Sequence, residues 1–148
     1  AQKSWAWTNT DMNINSGRPI MGSYTFNGWN HPDMFIEKGA EQHKDWDLLY
    51  QDDSEGQPDM APMVSDGIWV DAWPRSKDPV PSSWKGSHDK GKKSMQRVCV
   101  DRHNGRMLVA FNDGHGEAVE LPMLWTLHWH KNWKTPAKLP QPPLMLDK

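Results

Sequence analysis

The hydrophobic positions of this chain fall into short runs divided by turn residues, and the clearest of them lie between 95 and 130. Val98 to Arg102 predicts one strand and Met107 to Phe111 the next. Asn104-Gly105 between them predicts a hairpin, because both residue types tolerate positive φ. Asn112-Asp113-Gly114 marks a second turn, and Ala118 to Leu121 continues as strand. After Pro122, Met123 to His130 alternates: Met123, Trp125, Leu127 and Trp129 would take one face, and Leu124, Thr126, His128 and His130 the other. A period of two with these residues predicts a half-buried strand.

The pattern upstream is less regular. Residues 1–30 read as an extended N-terminal arm, with Trp5 and Trp7 on one side of a short strand and an edge strand over Ile20 to Phe26. Asn30-His31-Pro32-Asp33 predicts a helix start, and Trp46, Leu49 and Tyr50 share a face in a second short helix over Glu41 to Tyr50. Residues 51–94 form a proline-rich insert holding a short strand, Gly67 to Trp73, and a loop from Pro79 to Lys93 with Trp84 folded back as an anchor. Pro136, Pro140, Pro142 and Pro143 make 131–148 an extended tail, which stays ordered only if something holds it. The expected fold is mainly β. It is a small antiparallel sheet or SH3-like barrel over 31–130, with one or two short helices and long irregular arms.

Composition changes this picture in one respect. The hydrophobic fraction is a low 36%, yet there are 10 Trp and 9 Met, so indoles carry much of the apolar area available to a core or a surface. A formal net charge of −2 argues against nucleic acid as a partner. The charge is nonetheless segregated: acidic residues dominate Glu37 to Glu55, and basic residues dominate Lys85 to Arg106. The single cysteine, Cys99, excludes an internal disulfide and suits a buried, inert role. No apolar stretch is long enough for membrane insertion. Ala1, rather than Met, at the start is expected to mark a processed chain. The compartment stays open.

The run Arg97 to Gly114, with Val109-Ala110-Phe111-Asn112-Asp113-Gly114 at its end, and the following Ala118 to Leu124 resemble the hairpin core of Tudor-like or SH3-like small β-barrels. There a strand leads through a turn into a V-x-F-x-D-G segment, and a short x-V-x-L strand follows. The resemblance spans 97–124, roughly a fifth of the 148 residues. It implies a module that assembles within complexes or binds methylated Lys or Arg in an aromatic cage. Of the aromatic residues only Phe111 falls in the motif, where a core role suits it equally. The long proline-rich insert departs from the compact family pattern.

Three kinds of site are open to these residues. His128 and His130, with His115, His103, Asp113 or Glu117 as a third ligand, could hold zinc at about 2.0–2.1 Å, and a metal-dependent enzyme would centre on the first two. No C-x-x-C or H-E-x-x-H spacing accompanies them, so the expectation is no cofactor, with zinc as the alternative. Asp45/Asp47 and Asp52/Asp53 lie in a solvated acidic run, the wrong setting for a catalytic acid, and neither a nucleophile elbow nor a phosphate loop occurs. Catalysis is therefore the less favoured reading. Exposed indoles could stack on a carbohydrate or another small ligand. The favoured reading is a non-catalytic interaction protein or accessory subunit of a larger assembly, built from Trp- and Met-rich surfaces, since interface cores favour these residues. Trp5, Trp7, Trp69, Trp73, Trp84 and Trp133 are the candidate contact residues.

Overall fold

The computed structural model describes residues 7–9, 20–31, 45–86 and 94–141. Seven strands appear in chain order: β1 (Trp7–Asn9), β2 (Ile20–Gly22), β3 (Tyr24–Asn27), β4 (Pro62–Asp66), β5 (Asp71–Ala72), β6 (Arg106–Phe111) and β7 (Gly116–Glu120). β1 and β2 form a separate antiparallel pair. The other five make one sheet in the order β5-β3-β4-β6-β7. Its pairings are antiparallel except β3 with β5, so the sheet is mixed. The fold is mainly β, as expected, but the sheet is open and does not close into a barrel.

The β6–β7 hairpin follows directly from sequence. Arg106 to Phe111 alternates outward and inward, with Met107, Val109 and Phe111 buried. Gly114 takes a φ of 91° and donates its N–H to Phe111, which reverses the chain at the expected turn. Asn104 and Gly105 also have positive φ, 57° and 83°. They do not join two strands, however. They lead a loop into β6, closed by Gly105 N–H donating to the Asp101 carboxylate at 2.7 Å.

Several expectations need correction. Val98 to Arg102 is not a strand. Met95–Val98 is a single α-helical turn, α1, and Val100 makes one isolated bridge to Lys85. Val98, Cys99 and Val100 are all fully buried, and a short run apolar on every side fits a helix end as well as a strand. Met123 to His130 is not a strand either. Leu121–Thr126 forms a 3-10 helix with Pro122 near its start, where a missing N–H costs nothing. Leu121, Leu124 and Trp125 are its buried positions, although a period of two puts Leu124 and Trp125 on opposite faces. The predicted strand Gly67 to Trp73 shrinks to Asp71–Ala72, and Ile20 to Phe26 is cut into β2 and β3. β3 is not an edge strand, since β5 and β4 flank it. The second helix reduces to a 3-10 turn over Trp46–Leu48; residues 41–44 lie outside the described residues, as do Pro32 and Asp33 of the first predicted start. A 3-10 turn over Gly28–Asn30 precedes that point. The proline-rich stretch supplies β4, the middle strand of the sheet.

Indoles organise the irregular parts. Trp29, Trp125, Trp129 and Trp133 are buried, and each donates its ring N–H to a main-chain carbonyl: Pro74, Asp78, Leu124 and Trp125 respectively. Irregular chain leaves carbonyls without ladder partners, and a buried indole brings both an apolar body and a donor. Each such bond contributes about 1 kcal/mol net, and the unmet carbonyl would cost more. Gly28 makes room for this layer, because a Cβ there would lie 2.2 Å from the Trp73 ring. Buried Asn27 ties the layer to the sheet, donating at 2.8 Å to both Pro62 and Trp129 carbonyls. The described part of the C-terminal tail is held by its own domain. Lys131 N–H donates to Leu48, Lys131 Nζ pairs with Glu55, Trp133 is buried, and Leu139 packs on the core.

Candidate functional site

Met107, Val109, Phe111 and Val119 of the five-stranded sheet share one buried core with the indoles, and among the described residues the opposite face is the more exposed one. Register places Phe26, Val64, Ala110 and Gly116 in one row across it, and Tyr24, Asp66, Leu108 and Ala118 in the next. Three large apolar side chains there are well exposed: Tyr24 at 57%, Phe26 at 47% and Leu108 at 43%. Between them runs a groove of about 350 Å³ lined by Tyr24, Val64, Leu108, Ala110 and Ala118, with Ser65 and Glu117 among its other walls. Sequence reasoning missed this surface. The signal was present in β6, which is apolar at Leu108 and Ala110 as well as at Met107, Val109 and Phe111. Strands apolar on both faces belong to sheets covered on both faces.

Asp66 closes one end of this face. Its Oδ2 accepts the Leu108 N–H at 2.9 Å and faces His103 Nε2 at 3.1 Å, while its Oδ1 lies 3.4 Å from Arg102. Arg102 also donates to the Ser23 and Gly67 carbonyls. A carboxylate so occupied acts as a brace between β3, β4 and β6.

Trp69, Trp73, Trp84 and Trp133, the predicted contact tryptophans whose side chains are described, do not gather on a surface. Trp84 and Trp133 are core residues, 7% and 8% exposed. Trp84 Nε1 is buried without a hydrogen-bond partner. Trp69 and Trp73 are half-buried, and the chain between them is not a continuous strand, so the spacing that would put both on one face no longer applies. Trp73 packs edge-on against Trp29, with ring centroids 5.1 Å apart, and donates to Asp71 at 3.2 Å. Trp7 lies in β1, and Trp5 lies outside the described residues.

The three candidate metal ligands are also dispersed in role. His130 is buried between the rings of Trp29 and Trp133, at 5.6 and 5.1 Å, with its Nδ1 lacking a partner. Burial foremost, then the Arg75 charge and to a lesser degree His128, lowers its pKa to about 4 against the opposing pull of Asp45, so the ring is neutral. His128 serves through its backbone, donating to Met60 and accepting from the Tyr50 hydroxyl at 2.8 Å. His115 stacks flat on Phe111 at 4.3 Å and meets Asp113 through Nδ1 at 2.6 Å. That contact, after the His115 backbone N–H, holds the Asp113 carboxyl below its usual range. Among the described residues no group of three or more His, Cys, Asp or Glu side chains could hold a metal ion. The predicted His128–His130–His115 set is therefore not assembled.

Two other titratable groups are structural. Asp78 accepts the N–H groups of Arg75 and Met95, and burial raises its pKa despite both bonds. Cys99 is fully buried, and burial followed by the Asp78 charge pushes its thiol well above the ordinary range, which leaves it unreactive. Among the described residues, no helix is long and apolar enough to cross a membrane. No protein-family profile, curated protein or solved structure matches this chain.

Proposed function

We propose that the protein is a non-catalytic interaction module, an accessory part of a larger assembly, and that it binds its protein partner with the open face of the five-stranded sheet. The observation that carries this reading is the exposure of Tyr24, Phe26 and Leu108 on the face that holds an apolar groove. Monomeric proteins seldom leave such patches uncovered, and contiguous ones mark contact sites. The tryptophans take a different part from the one their number suggests: they stiffen the scaffold that presents this face. The resemblance of 97–124 to Tudor-like and SH3-like modules, which often assemble within complexes, agrees with this reading.

A photo-crosslinking residue placed at Leu108 in the full chain, produced in the cells that make it, is expected to capture a discrete protein partner. The same residue at Lys77, an exposed position in the turn that Asp78 braces, is expected to capture none. Equal capture from both positions, or none from Leu108, overturns the reading.

A further inference from the structure

Among the described residues β7 is a border strand of the sheet, and the ladder shows which groups line its outer edge. Phe111 N–H donates to the His115 carbonyl, and Leu121 N–H donates to the Gly105 carbonyl. An antiparallel ladder alternates bonded and non-bonded pairs. Glu117 and Val119 are therefore the β7 residues that exchange bonds with β6, opposite Val109 and Met107. The N–H and C=O groups of Gly116, Ala118 and Glu120 point the other way, along the outer edge of the sheet. Ala118 sits in the row of Leu108 and lines the groove. A guest strand bonded to this edge would thus place every second side chain over the groove, against Ala118 and Leu108.

Charge selects the guest. Glu117 and Glu120 stand on opposite faces of β7, with side chains 62% and 64% exposed. Asp113 at the hairpin tip adds a third carboxylate. The cation beside Glu120 is Arg106, 3.8 Å away and on the β6 side rather than at the border. A second copy of this chain would bring both its glutamates to the seam already holding two. That repulsion disfavours self-pairing, as charged edge residues generally do.

Resting on the interaction-module reading, we propose that the β7 edge and the adjoining groove bind an extended peptide segment in which apolar residues alternate with Lys or Arg. The apolar side chains fill the groove over Ala118 and Leu108, and the basic ones, on the opposite face of the guest strand, pair with Glu117.

The test is an amide NMR titration of the full chain with two synthetic peptides, one alternating lysine with valine and one alternating glutamate with valine. The lysine peptide is expected to shift the Ala118 and Glu120 amides, slow their hydrogen exchange, and shift the Leu108 methyls. The glutamate peptide is expected to do none of these. Reversing the charge on the face that meets the basic residues, Glu117→Lys, should weaken the lysine peptide about tenfold and admit the glutamate peptide. Ala118→Pro removes one border donor without touching the β6 ladder and should abolish binding of either; if it unfolds the protein, the charge reversal decides alone. Equal binding of the two peptides, or no response to either, overturns the proposal. So does sedimentation of the protein as a dimer that the charge reversal dissolves. Capture from Leu108 is read separately, so a failed peptide titration with successful capture removes the basic-strand partner and leaves the interaction face standing.

Discussion

On β6, Met107, Val109 and Phe111 meet a layer of indoles, whereas their chain neighbours Leu108 and Ala110 meet a groove. The same strand thus serves two surfaces that differ in what completes them. The inner face is completed within the chain. Trp29, Trp125, Trp129 and Trp133 fill it, and their ring N–H groups bind the carbonyls of the irregular segments they cover. The outer face has the same kind of side chains, but among the described residues no indole layer buries them, and Tyr24, Phe26 and Leu108 stay well exposed. An apolar strand pattern therefore states how much burial is needed, not whether the chain itself supplies it.

Three substitutions test that contrast. The largest effect belongs to the inner face. Trp129→Ala removes a fully buried ring and its bond to Leu124, and should cost about 3–5 kcal/mol in urea unfolding. A loss below about 1 kcal/mol would mean that the indole layer is not what completes the face. The second effect is a pH dependence centred on His130. Its folded pKa is lowered to about 4 from an ordinary 6.5, so the unfolded chain binds the proton more readily. The stability from its neutral form is fully present above about pH 6.5 and is lost as pH falls toward 4, by about 3 kcal/mol. His130→Phe keeps a ring between Trp29 and Trp133 without a proton to gain. Its unfolding free energy should fall less between pH 7 and 4.5 than that of the parent; parallel profiles would show that His130 is not the titrating group. The smallest effect belongs to the outer face. Leu108→Ser should change stability by no more than about 0.5 kcal/mol, because the side chain is already well exposed. A loss of several times that would place Leu108 in the core and end the distinction between the faces.

The two faces were unequally legible in the sequence. The β6–β7 hairpin could be read directly, because the apolar run Met107 to Phe111 ended at an Asn-Asp-Gly turn. Burial of Cys99 could be read as well, since valine flanks it on both sides. The segment Met123 to His130 misled, because its alternation is equally a run of apolar residues that an indole-braced 3-10 helix can bury on several sides. Nothing local distinguishes the two; the bonds from Trp129 to Leu124 and from Trp133 to Trp125 do. The contact tryptophans were misplaced for a related reason. An indole in polar, proline-marked sequence suggests a surface, yet such sequence is where unpaired carbonyls need a buried donor. The groove could have been anticipated from the second apolar stripe of β6. Its other wall comes from β3 and β4, which sequence separates from β6 by some forty to eighty positions, so only folding brings the walls together.

The crossed rings of Trp29 and Trp73, 5.1 Å apart at 81°, have an optical consequence. Two chromophores this close couple their transition dipoles, and a skewed pair gives a circular dichroism couplet in the far ultraviolet. One ring is fully buried and the other belongs to the stretch just after β5, so the couplet reports the seating of that segment on the core. The protein thus carries an intrinsic, label-free gauge of whether its scaffold is closed.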